Sequence, residues 1–143
     1  MAAVTIPYTA VQSAQIVPLA RGVHGTLRIP TVVPAELGGP VTVRVPGRGT
    51  ALYEILVGPQ CATDGCYNAR VRVFPTRPSD AERNRIQEDL PDGGIGLYHV
   101  NEHDAAMLVF YPGHGFRSYL IDCRCDYDQL ETIARGLKPV PVY

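Results

Sequence analysis

Four cysteines are the residues of this chain best suited to chemistry, and they come in two pairs, Cys61 and Cys66 in QCATDGC and Cys123 and Cys125 in IDCRCD. Three arrangements fit four thiols: two disulfides, a tetrahedral zinc site, or free thiols in a reducing compartment. Cys61 and Cys66 flank a turn-forming Ala-Thr-Asp-Gly, so they can bridge each other or reach the last strand. On a strand, Tyr119, Ile121, Cys123 and Cys125 share one face, with residues two apart separated by about 6.5 to 7 Å. A disulfide prefers Cα atoms about 5.5 to 6 Å apart. A Cys123–Cys125 bond therefore requires a bent backbone. For zinc, C-x4-C is tolerable, but C-x-C is an unusual second knuckle. Neither pair is the C-x-x-C that lowers a thiol pKa at a helix start, which argues against redox catalysis. The expected state is two disulfides involving all four cysteines, with their connectivity open among three possibilities.

His103 in NEHD and His114 in PGHG fall at expected loop tips, where an imidazole can ligate a metal or act as a general base. A turn also tolerates any polar residue, and that plainer role is the one expected. Cys–His catalysis needs a thiolate beside an imidazole, which separation along the chain does not establish. The GRG at 47–49 and the DGGIG at 92–96 are turns rather than phosphate cradles, because no helix begins after either. No catalytic residue, metal ligand or cofactor is assigned, and the chain is expected to be non-enzymatic.

The elements that hold these residues follow from composition and patterning. A chain of 143 residues is one ordinary domain. Its 13 Lys and Arg against 14 Asp and Glu leave no dominant basic patch, which argues against a nucleic-acid partner. Thirteen prolines and fourteen glycines predict short strands joined by turns. The longest apolar runs break within about ten residues, too short for a membrane span, so membrane association is expected only through a partner.

The first 20 residues carry no charged side chain. They lack the basic start and continuous apolar core of a secretory signal, and Pro7, Gln12, Ser13 and Gln15 interrupt them. Residues 1–30 are therefore read as an extended N-terminal arm, uncharged over its first 20 residues, and residues 31–143 as a single α+β domain. Val4, Ile6, Tyr8 and Val11 in the arm are the candidate partner-binding residues, because so apolar a segment needs cover and can add to a sheet edge or groove of another protein subunit.

Val41, Val43 and Val45 alternate with Thr42 and Arg44 as a half-buried strand, which should pair with 51–58 as a hairpin. Val71 and Val73 alternate with Arg70 and Arg72 in a third strand. Ser79 with Glu82 reads as a capping box for a short exposed helix from about Asp80 to Leu90. IGLYHV, AAMLVFY and FRSYLIDCRC then form a meander, in which Tyr98, Tyr111 and Tyr119 are expected to pack half-buried. Asp128 with Glu131 suggests a second capping box, and Leu130, Ile133, Ala134 and Leu137 give one apolar helical face that ends at Gly136. The fold class is α+β: an antiparallel meander, a C-terminal helix packed on it and one short exposed helix.

The last strand and helix resemble a domain of unknown function from bacterial sigma-factor regulators and sporulation lipoproteins. Tyr119 and Ile121 match its strand, and Leu130, Ile133, Ala134, Leu137, Pro139 and Val140 match its helix and exit. IPTVVPAELGG through YEILVGPQCATDGCYNARV is similar to small uncharacterised secreted bacterial proteins with a proline-rich lead before a cysteine pair. The Cys-x-Cys departs from both patterns. The resemblance implies an extracytoplasmic α/β domain that binds or senses something, and it supplies no catalytic residue. The reading is a non-enzymatic extracytoplasmic binding or accessory subunit of a larger assembly. The alternative is a small metal-binding or cysteine-dependent enzyme domain built on the cysteines with His103 or His114.

Overall fold

The computed structural model describes residues 2–22, 25–45, 51–59, 67–75, 86–100, 105–112 and 117–140. It is an α+β fold centred on a seven-stranded antiparallel sheet of order β4-β5-β6-β10-β9-β8-β7. Two meanders make this sheet. The first comprises β4 (Val41–Arg44), β5 (Tyr53–Val57) and β6 (Ala69–Phe74); the second comprises β7 (Ile86–Asp89), β8 (Ile95–Val100), β9 (Ala105–Phe110) and β10 (Ser118–Cys123). They join where β6 pairs with β10, from Ser118 opposite Phe74 to Cys123 opposite Ala69. The hairpin, the third strand and the meander read from alternation are all present.

Period-two alternation decides which face each side chain takes. Tyr53, Ile55, Val71, Val73, Met107, Val109, Tyr119 and Ile121 are buried on the inner face. The opposite face carries cross-strand ion pairs: Arg70 Nη2 lies 2.7 Å from the Asp122 carboxylate, and Arg72 Nη2 reaches the same group at 3.6 Å. Arg70 and Asp122 are register partners, so their attraction favours the β6–β10 pairing that holds the two meanders together.

Helix α2 (Tyr127–Arg135) covers part of the inner face, burying Leu130, Ile133 and Ala134. Its cap lies two residues before the expected one: Asp126 accepts from the Gln129 N–H at 2.9 Å, and the Gln129 side chain accepts from the Asp126 N–H at 3.1 Å. Leu137, expected on the helix, instead begins β11 (Leu137–Pro139) and is buried there. The helix stops at Gly136 as expected, but without a left-handed turn, its φ being −87°; close packing is what requires glycine there. A Cβ at Gly136 would lie 2.6 Å from Val32 Cγ2.

Two expectations are corrected. Ile86–Asp89 form the edge strand β7, paired with β8 from Ile86 opposite Tyr98 to Asp89 opposite Ile95. They are not the end of a helix from Asp80 to Leu90; residues 80–85 lie outside the described residues. Pairing with β8 satisfies the backbone of 86–89 and outweighs a local helix preference worth only tenths of a kcal/mol per residue. Within 1–30, the expected extended arm contains a 12-residue helix, α1 (Ala10–Arg21). Thr9 Oγ1 accepts from the Gln12 N–H at 3.1 Å, and Gln12 Oε1 accepts from the Thr9 N–H at 2.9 Å.

Strands β1 (Ala3–Thr5) with β3 (Val32–Pro34), and β2 (Arg28–Pro30) with β11, form two small sheets beside the large one. Ile6, Ile16, Ala20 and Leu27 join the same core cluster as the inner face of the sheet. Among the described residues no helix is long and apolar enough to cross a membrane.

Leu130 is fully buried where α2 meets the core. Leu130→Ala should lower unfolding free energy by about 2 to 5 kcal/mol, measured by urea denaturation; an unchanged midpoint would mean that this helix face carries no packing load.

Candidate functional site

A concave feature of the described surface lies under α1. It is a half-open cavity of about 410 Å³ lined by Thr5, Ile6, Tyr8, Ser13, Ile16, Val17, Ile29, Thr31 and Val140. Its walls come from the loop after β1, one face of α1, strand β2 and the residue after β11. Ser13, Ile16 and Val17 sit at i, i+3 and i+4, the spacing that puts helical residues on one face.

The polar groups of this lining are mostly engaged elsewhere. The Tyr8 hydroxyl donates to the Pro30 carbonyl at 2.6 Å. Thr31 Oγ1 donates to the Gly136 carbonyl at 2.6 Å, and the Thr31 N–H reaches the same oxygen at 3.0 Å. Among the described lining residues no side chain is charged. The interior therefore offers aliphatic surface, while Thr5 and Ser13 are exposed.

Strand β2 is held in place by Arg28, whose residue is only 5 % exposed. The Arg28 N–H donates to the Tyr119 hydroxyl at 2.9 Å, and the Tyr53 hydroxyl donates to the Arg28 carbonyl at 2.5 Å. Arg28 Nη1 donates to Asp92 Oδ2 at 3.0 Å and to the Leu137 carbonyl at 3.1 Å. Its guanidinium lies 4.1 Å over the Tyr111 ring, a cation–π contact that helps to hold a desolvated charge. Asp92 takes φ 62° and Gly93 φ 78°, the Asp-Gly conformation suited to a tight primed turn, which aims the carboxylate at Arg28.

Of the candidate partner-binding residues, Ile6 is buried and Tyr8 half-buried in the cavity wall, whereas Val4 and Val11 are 41 % and 71 % exposed. The four therefore do not form one patch: Val11 belongs to the outer side of α1. That side also exposes Ala14 and Pro18, at i+3 and i+7 from Val11. Sequence reading missed α1, the cavity and the Arg28 network. The Thr9–Gln12 capping signature was available for the helix, but Pro18 and the lack of charge masked it.

The cysteine pairs fare differently. Cys123 and Cys125 are in disulfide contact with Cα atoms 5.2 Å apart. The same-face strand geometry does not apply to them, because β10 ends at Cys123 and the chain bends at Arg124, whose N–H donates to the Asn68 carbonyl at 3.2 Å. That bend shortens the separation into disulfide range. Cys61, Cys66, His103 and His114 lie outside the described residues. Among the described residues, no three His, Cys, Asp or Glu side chains gather as a metal site.

No family model, curated protein or solved structure matches the chain. Its functional reading rests on its own residues.

Two outcomes are expected. Iodoacetamide applied to the native, unreduced protein should leave Cys123 and Cys125 unlabelled in a peptide mass map, and labelling of Cys125 would refute the bond. Burial pushes the phenols of Tyr8, Tyr53 and Tyr119 upward and that of Tyr111 up to about 12. An acid whose folded pKa is raised stabilises the fold below its unfolded pKa, about 10 for tyrosine, and loses that contribution as pH rises toward the folded value. Stability should therefore fall above about pH 10, with these phenols ionising only as the chain unfolds. A single ultraviolet titration step for all eight tyrosines near pH 10, with stability unchanged, would contradict this.

Proposed function

We propose that this chain is a non-enzymatic binding or accessory subunit of a larger extracytoplasmic protein assembly, and that it meets another subunit through the outer side of α1. The observation that carries the reading is that α1 has apolar residues on both sides, with Gln15 the polar neighbour of Val11 and Pro18 on the outer one. Ile16 and Ala20 enter the core on one side, while Val11, Ala14 and Pro18 face solvent on the other. A surface helix ordinarily opposes its apolar stripe with charged and polar residues; α1 has one charged residue, Arg21, in its last turn. Exposed Val4 on β1 adds apolar surface near the same end of the chain. A disulfide at Cys123–Cys125 supports the extracytoplasmic part of the reading, since structural disulfides persist in oxidising compartments.

Truncation is the wrong test, because Ile6, Ile16 and Ala20 belong to the core cluster and their removal would expose it. The double variant Val11→Glu, Ala14→Glu changes only exposed positions, where stability usually shifts by less than about 0.5 kcal/mol. In native gels of freshly prepared extract, the wild-type chain should migrate in a complex that the variant leaves, with at least a tenfold loss of partner affinity and an unchanged melting temperature. Identical migration of the two, or a wild-type chain at its monomer mass, would overturn the reading.

A further inference from the structure

We infer that the cavity beneath α1 is a binding site for a saturated acyl chain of medium length, which goes beyond the docking role of the helix's outer side. The cavity volume of about 410 Å³ lies within the range of small-molecule sites. A water molecule's share of liquid is about 30 Å³, and a methylene is of similar size, so the space takes roughly a dozen such groups. One inserted side chain, even a leucine or phenylalanine, would leave much of it empty.

The chemistry of the lining selects the ligand. Ile6, Ile16, Val17, Ile29 and Val140 supply branched aliphatic contact. The inner hydroxyls, of Tyr8 and Thr31, already donate to the Pro30 and Gly136 carbonyls, so a polar ligand would enter without its hydrogen bonds from them and lose the desolvation energy. Among the described residues no charged side chain lines the space to neutralise an ionic group. Thr5 and Ser13 are exposed lining residues, placed to bond a carboxyl or ester head that stays in water. An unbranched hydrocarbon tail with a small polar head satisfies each of these conditions. Such a tail occurs in free fatty acids and in membrane lipids.

Isothermal titration of the full chain with sodium hexanoate, octanoate, decanoate, dodecanoate and hexadecanoate, each below its micelle concentration, tests the site. Each added methylene should tighten binding about fourfold, the equivalent of about 0.8 kcal/mol per CH₂, until the chain fills the cavity near a dozen carbons; affinity should then level off. Val17→Trp, at a half-buried lining position, should weaken decanoate binding at least tenfold. Should that variant unfold, cross-peaks between labelled decanoate and the methyls of Ile29 and Val140 in the wild-type protein replace it as the readout. Sedimentation with vesicles of phosphatidylcholine and phosphatidylglycerol separates the two sources: Val17-dependent pelleting marks a lipid's own acyl tail, and decanoate binding without pelleting marks a free acid. Affinity independent of chain length, continued tightening through hexadecanoate, full binding by a folded Val17→Trp variant, or absence of the cross-peaks would overturn the assignment. Val11→Glu, Ala14→Glu should still bind decanoate, so failure here and failure of subunit docking are read separately.

Discussion

The burial of Arg28 is the constraint on which the smaller elements depend. A guanidinium removed from water is tolerated only where its charge and donors are met. Here Asp92, the Leu137 carbonyl and the Tyr111 ring meet them from three separate parts of the chain. The backbone of the same residue is clamped between the hydroxyls of Tyr119 and Tyr53. One residue thus ties β2 to the large sheet, to the exit of α2 and to the turn before β8. Loss of any one partner would leave a buried polar group unmatched, so these segments are coupled. Arg28 lies outside the sheet it anchors, on a strand whose register partner Pro139 belongs to β11.

From that anchor the position of the cavity follows. Ile29 within β2 and Thr31 just after it line the cavity, and Thr31 is locked to Gly136 by two hydrogen bonds to one carbonyl. The close approach of Gly136 to Val32 sets how near the end of α2 comes to this wall. Helix α1 is held by Ile16 and Ala20 in the core and by the Gln12 side chain, which donates to the Val41 carbonyl at 2.8 Å. These contacts fix the helix over the cavity without filling it. The result is a helix with one side over apolar space and the other toward solvent, an arrangement suited to binding.

The bend after Cys123 shows the same dependence on distant partners. Arg124 bonds to Asn68, and the Asn68 side chain in turn donates to the Leu37 carbonyl at 3.1 Å. The cysteine pair therefore sits at the junction of β10, the lead into β6 and the segment before β4, in contact across a turn already defined by hydrogen bonds.

Alternation and helical spacing made β4, β5, β6, the β8–β10 meander and α2 legible in the sequence, because each buries one face against one large core, and period 2 or 3.6 records that burial directly. Gly136 was readable as a stop, and the valine and arginine alternation of β6 as two faces of a sheet. The identity of α1 was not legible: it carries apolar residues on both sides, so they show no clear period, and only the neighbouring strands decide which side is inside. Nor was β7, whose residues prefer a helix locally and become a strand through backbone hydrogen bonds to β8. The role of Arg28 was likewise invisible, since a lone arginine among prolines and aliphatic residues reads as exposed until tyrosines far along the chain arrive to pair with it. Local pattern determined the elements with one buried face, whereas the tertiary structure alone decided those stabilised by partners distant in sequence, because such partners leave no periodic trace.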